Sequence, residues 1–187
     1  MLLCLPETCD VVVKVSQSKG GCHLDRYSVI VEKQDLQFCS AHFILHKGGR
    51  EMLHGHNFHC AVILEGDLTT DHYVIDFGDI KAAARQACAA LDHRVLLPGT
   101  SADIHLVVAE ERISVLYGAD LLFVFPVGDV RILPLANVTA EQLARYLSGE
   151  IVGLLPTAAQ QSLQVIEVHV VETPGQRATY RRLLRPA

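Results

Sequence analysis

A chain of 187 residues, 50% hydrophobic and 20% charged, is long enough to bury one sizeable core and has the make-up of an ordinary globular protein. A net charge of −5 argues against nucleic acid as a partner. No apolar run approaches the roughly 20 residues of a membrane span, and no basic segment precedes the apolar start at Met1, so the chain reads as one cytoplasmic domain over 1–187 with no membrane contact.

In chain order, residues 10–15 are a strand candidate and 16–21 a turn cluster. Extended segments follow at 27–32 and 38–45. The paired glycines of His46-Lys47-Gly48-Gly49-Arg50 break any periodicity and mark a loop. An apolar strand over 57–64 comes next. Residues 77–91 carry an Ala-rich helix with Ile80, Ala84, Ala87, Cys88 and Leu91 as its apolar stripe, and Gly78 or Asp79 near its start. Three short strand-like pieces at 104–108, 113–117 and 121–125 read as a β-meander inserted over 100–131. A second helix runs from about 139 to 155, with Thr139 as N-cap and Leu143, Tyr146, Leu147, Ile151 and Leu154 facing the core. Strands at 163–172 and 180–184 close the chain. Strands, helix, inserted strands, helix and strand make an α+β fold, an antiparallel sheet backed by two helices.

Chemistry concentrates between Phe38 and Cys60, which holds five of the ten histidines. On a strand, residues two apart share a face, so His54 and His56 stand side by side across Gly55. If the segment bearing His42 pairs with theirs, three imidazoles converge. Three nitrogen donors with one open position are the ligand set of a catalytic zinc site. The same residues also suit the wet face of a sheet. His59 has the opposite parity and should face away, and His46 lies at the start of a loop. Asp92-His93, directly after the first helix, is a candidate acid/base pair oriented by its own carboxylate. Glu172 ends the strand before Pro174-Gly175. A carboxylate there can accept two hydrogen bonds from the N–H edge of a heterocycle, or can simply be solvated. Glu51 precedes His54 by three residues and is either a base or a loop charge. Six scattered cysteines without a C-x-x-C pair read as reduced, mostly buried thiols.

Six motifs in order, F-C-S-A-H-F (38–43), L-H-G-H-N-F (53–58), V-I-D-F-G-D-I-K (74–81), L-D-H (91–93), N-V-T-A-E-Q-L-A (137–144) and V-x-E-T-P-G (170–175), resemble the 6-pyruvoyl-tetrahydropterin synthase family, which includes 6-carboxy-tetrahydropterin synthases. The resemblance implies a T-fold, a four-stranded antiparallel sheet with two helices on one face. It also implies homo-oligomers, trimers or hexamers, with small-molecule pterin pockets at subunit interfaces. It makes His42, His54 and His56 the Zn2+ ligands and Asp92 and His93 the acid/base pair. Glu172 becomes the pterin anchor, with Thr139 and Glu141 in the segment lining the pocket. The sequence departs from the family at one place. The usual Cys-x-x-x-His-Gly-His has Arg50 where the Cys belongs, and Glu51 beside it. That resembles a subgroup in which Glu replaces the Cys. The subgroup cleaves the side chain of 7,8-dihydroneopterin triphosphate to 6-hydroxymethyl-dihydropterin. An ordinary 6-pyruvoyl or 6-carboxy product, or a pterin-binding T-fold protein without catalysis, are the alternatives.

Overall fold

The computed structural model describes residues 26–185. The strand expected at 10–15 and Cys4, Cys9 and Cys22 lie outside the described residues. The elements in order are β1 (Tyr27–His42), β2 (Leu45–His46), β3 (Gly49–Arg50), β4 (His54–Gly66), α1 (Phe77–Ala89), β5 (Arg94–Pro98), β6 (Ile104–Val108), β7 (Arg112–Tyr117), β8 (Asp120–Pro126), β9 (Val130–Leu133), α2 (Ala140–Leu154), α3 (Thr157–Ser162), β10 (Leu163–Thr173) and β11 (Gln176–Leu183).

The main sheet runs β11-β10-β4-β1-β5-β9. Its four long strands are antiparallel, and β5 and β9 add a short parallel edge. This is the T-fold with a wider edge than four strands. The apolar run Val95-Leu96-Leu97 and the short strand Val130–Leu133 supply that edge, so the meander returns to the main sheet at Val130 rather than after residue 131. The two extended segments expected at 27–32 and 38–45 are one strand. A register shift between Glu32 and Gln37 accommodates the polar stretch that separated them in the pattern. Both helices pack on one face. Phe38, Phe58, Val62, Leu64, Ile166 and Val168 point from the sheet into a core with Ile80, Ala84, Leu143 and Leu147. Each such buried aliphatic or aromatic side chain stabilises the fold by about 1.5–3 kcal/mol. On the other face Arg181 of β11 reaches Glu65 of β4 and Glu167 of β10, tying three strands together.

Helix α1 begins at Phe77 as expected, with Gly78 and Asp79 in its first turn. Asp76, in extended conformation, accepts the Gly78 N–H. A carboxylate N-cap satisfies one orphan donor and suits the positive end of the helix. The helix ends at Ala89, and Leu91 follows in the turn. Thr139 caps α2 as expected, accepting the Gln142 N–H at 3.4 Å. The short α3 escaped the sequence pattern because a 6-residue helix shows too little periodicity. The final strand starts at Gln176, earlier than residue 180, because β11 forms a hairpin with β10 directly across Pro174-Gly175, where Gly175 takes φ 88°.

The meander strands form their own three-stranded sheet, β6-β7-β8. Its inner face makes a second small core, in which Ile104, Ile113 and Val115 meet Phe43 and Leu97. The expected loop at 46–50 is a tight hairpin, β2–β3, turning through Lys47 at φ 51° and Gly48 at φ 74°. Two successive positive φ angles match the twist of a two-residue hairpin turn.

Candidate active site

β1 and β4 pair with His42 opposite His54 and Ser40 opposite His56. Beyond the register shift in β1, the even residues of β1 and β4 face the helices, so Phe38, Phe58 and the three imidazoles share one face. Toward the end of that face the core side chains give way to His42, His54 and His56. Their ring centroids lie 4.7 Å (His42–His54), 5.4 Å (His42–His56) and 4.9 Å (His54–His56) apart. Gly55 between the two β4 histidines lies against β1. A Cβ there would stand 3.3 Å from the Ser40 carbonyl, so β1 would have to give by a few tenths of an ångström to admit a side chain.

One nitrogen from each ring comes within 4.8 Å of the others, close enough to hold a single metal ion. The donor chemistry fits. His42 Nδ1 donates to the Val138 carbonyl at 2.8 Å and His54 Nδ1 to the Met52 carbonyl at 2.8 Å. Each Nε2 therefore carries the lone pair. His42 Nε2 is buried and has no hydrogen-bond partner, and neither has the buried Glu172 Oε1, 3.4 Å away. Two buried acceptors facing each other at that distance repel unless a cation or a ligand's donor lies among them. Burial pushes the His42 imidazole below its ordinary pKa against the Val138 carbonyl and Glu172, and the two neighbouring imidazoles push the same way as burial. The neutral form is the one that ligates metal.

Glu51 hangs over the same group, its Oε2 4.0 Å from His54 Nε2 and its side chain 39% exposed. Glu172, Thr139 and Glu141 line one cleft of about 490 Å³ with Ile44 and Arg177. The Glu172 carboxylate, 19% exposed, stands between that cleft and His42.

Asp92 and His93 are elsewhere. Asp92 Oδ1 accepts the Cys39 N–H at 2.7 Å, and His93 N–H donates to the Cys39 carbonyl at 2.7 Å. The two side chains pair at 2.8 Å, with His93 83% exposed and at φ 54°. The Cys39 N–H, ahead of His93, holds the Asp92 carboxyl below the usual carboxylate range. Cys39 precedes His42 by three residues, about 10 Å along the strand, and has the opposite parity. Among the described residues no ion pair or side-chain hydrogen bond links Asp92 or His93 to the triad, Glu51 or Glu172. Cys39 is exposed as parity requires, and His46 and His59 are exposed away from the cluster. Cys60 and Cys88 are free and buried.

Sequence reasoning overlooked Asn137. Its side chain brackets Leu45, accepting the Leu45 N–H at 3.1 Å and donating to the Leu45 carbonyl at 2.9 Å. It thus ties the segment after His42 to the start of α2, beside the Val138 carbonyl that orients His42. Asn137 heads the N-V-T-A-E-Q motif, and an Asn ahead of a capping Thr was the available signal.

The family model for 6-pyruvoyl tetrahydropterin synthase matches residues 31–183. This chain belongs to that family. A relative from Methanocaldococcus jannaschii, whose name proposes a 6-carboxy-5,6,7,8-tetrahydropterin synthase, is 33% identical over 150 residues, covering 80% of this chain and 91% of its own. A Pyrococcus abyssi protein with the same proposed name is 27% identical over 152 residues, covering 80% of this chain and 88% of its own. The solved Plasmodium vivax 6-pyruvoyltetrahydropterin synthase superposes with a TM-score of 0.79 at 30% identity, covering 85% of this chain and 99% of that one. One further structure of the Plasmodium protein carries alanine in place of a glutamate described as its catalytic residue. The family's enzymes are tetrahydropterin synthases and lyases. Among the described residues no helix is long and apolar enough to cross a membrane.

Proposed function

We propose that this protein is a zinc-dependent lyase that cleaves the side chain of 7,8-dihydroneopterin triphosphate to 6-hydroxymethyl-dihydropterin, with Glu51 as base. One observation carries the reading. A carboxylate, Glu51, overhangs the histidine cluster 4.0 Å from His54, where the family's usual thiol is missing. A glutamate is also the residue described as catalytic in the Plasmodium vivax relative.

His42, His54 and His56 would hold the ion, which when bound supplies a Lewis acid beside the side-chain hydroxyls. Glu172 accepts hydrogen bonds from the pterin's N–H edge, in the cleft formed with Thr139 and Glu141, and so aims the side chain at the cluster. Glu51 takes the proton from the outer of the two side-chain hydroxyls. The bond between the two carbinol carbons then breaks, and the outer fragment leaves as an aldehyde carrying the phosphates. The carbon left on the ring takes a proton from His93, which Asp92 orients at 2.8 Å.

His93 faces away from the cluster of its own chain, so that proton must come from a neighbouring copy. The reading therefore needs a homo-oligomer, trimer or hexamer, with pockets at subunit interfaces, and it makes a testable demand. Glu51→Ala and His93→Ala should each lose about 10²–10⁴-fold in turnover alone. Unfolded together and refolded as mixed oligomers, they should recover a fraction of wild-type turnover, because some pockets combine an intact Glu51 with an intact His93. No recovery from mixed oligomers verified by mass would place both residues in one chain's site and remove the intersubunit arrangement.

A second reading, an ordinary 6-carboxy-tetrahydropterin synthase, is favoured by the proposed names of the archaeal relatives. Product analysis separates the two. Zinc-loaded protein is given 7,8-dihydroneopterin triphosphate, and the released pterin is identified by mass spectrometry. The expected product is 6-hydroxymethyl-dihydropterin. A 6-carboxy or 6-pyruvoyl product would replace the cleavage reading.

A further inference from the structure

The meander is attached to the catalytic loop through Arg50. The Arg50 guanidinium lies over the Phe123 ring of β8, 5.3 Å from its centroid. Its Nη1 donates to the carbonyl of Glu51 at 3.0 Å. On the other side of the same residue, the Glu51 N–H donates to the Ile44 carbonyl at 2.8 Å. The backbone of Glu51 is thus held at both its amide and its carbonyl while the side chain stays free. Two further contacts fix the frame. Phe123 also packs on Phe43, next to His42, with ring centroids 5.9 Å apart. Tyr117 of β7 donates its hydroxyl to the Gly48 carbonyl at 3.1 Å, at the tip of the β2–β3 hairpin. That tip is the strained part of the loop, with Lys47 at φ 51°.

We infer that the meander is a clamp that positions Glu51: Phe123 holds Arg50, Arg50 holds the Glu51 carbonyl, and Tyr117 pins the hairpin tip. Phe123, Arg50 and Tyr117 are positioning residues, since none of them reaches the histidine cluster by any described contact. This rests on the assignment of Glu51 as base. It also gives Arg50 a task at the position where the family's Cys stands. Once the thiol is gone, the working carboxylate is one residue further on, and a side chain at position 50 is free to anchor it. A misplacement of about 1 Å at a catalytic group can lower turnover by as much as 100-fold, so a small loosening is measurable.

The test uses the full-length, zinc-loaded protein. Phe123→Leu keeps an apolar side chain but removes the ring under Arg50. It should lower kcat about tenfold, with KM and bound zinc unchanged, and should speed amide exchange at Glu51. Phe123→Tyr keeps the ring face and should restore both. In a Glu51→Ala background, Phe123→Leu should cause no further loss of turnover, because there is no carboxylate left to misplace; a merely structural role would still lower the residual rate. Wild-type kcat and wild-type exchange at Glu51 in Phe123→Leu, with Glu51→Ala inactive, would overturn the clamp and leave the base assignment standing. Wild-type turnover in Glu51→Ala would overturn the base assignment, and the positioning role with it.

Discussion

His54→Ala gives a folded protein that no longer retains a stoichiometric divalent ion and has lost its turnover. Of the three histidines, His54 is the one whose removal tests the site cleanly. His42 is fully buried, so truncating it would open a hole in the core and strand the Val138 carbonyl. A loss of function there could be a loss of fold. His54 is 38% exposed, and its only described hydrogen bond is to the Met52 carbonyl two residues away. Its truncation should leave the sheet intact. Removing one group that merely orients a ligand lowers metal affinity by about 10–100-fold, so removing a ligand itself should exceed about 100-fold. Elemental analysis of the purified variant, beside circular dichroism to check the fold, reads the outcome. Stoichiometric zinc in folded His54→Ala would take His54 out of the donor set and leave two histidines, too few to hold a catalytic zinc.

The cluster was legible in the sequence because strand periodicity is rigid. His42, His54 and His56 had the right parity, and only the pairing of the two strands was needed to bring them together. The same parity argument correctly turned Cys39 and His59 away. The meander strands were legible too, since polar turns bound each apolar piece. The edge formed by β5 and β9 was not, because strands of five and four residues are too short to carry a period that reveals a partner. Asp92-His93 shows a different limit. Adjacency made it a candidate pair, but neither its hydrogen bond nor its direction followed from that. The positive φ at His93 and the anchoring to Cys39 aim it outward, and both are tertiary facts. The role of Arg50 was hidden for the same reason. Its partner Phe123 lies 73 positions away in a separate sheet, and a departure from a motif names what is missing rather than what the replacement does.

Glu51→Ala is the sharper of the two large effects, because it separates chemistry from metal. The three imidazoles do not depend on it. Its carboxylate lies 4.0 Å from His54 Nε2, beyond hydrogen-bond distance, and the bonds that hold the loop are to its backbone, which alanine keeps. Zinc content and fold should therefore match the wild type. Turnover should fall by about 10²–10⁴-fold, the range a positioned general base contributes. Glu51→Gln should behave alike, since it preserves shape and hydrogen bonding but cannot take a proton. Comparing the pair guards against a steric explanation: if Ala is inactive and Gln is not, the side chain serves to fill or orient and not to accept the proton. If both keep turnover while holding zinc, the base lies elsewhere. The cleavage reading then loses its distinguishing residue, and the ordinary tetrahydropterin synthase chemistry becomes the better account, with His93 the first residue to examine as the base.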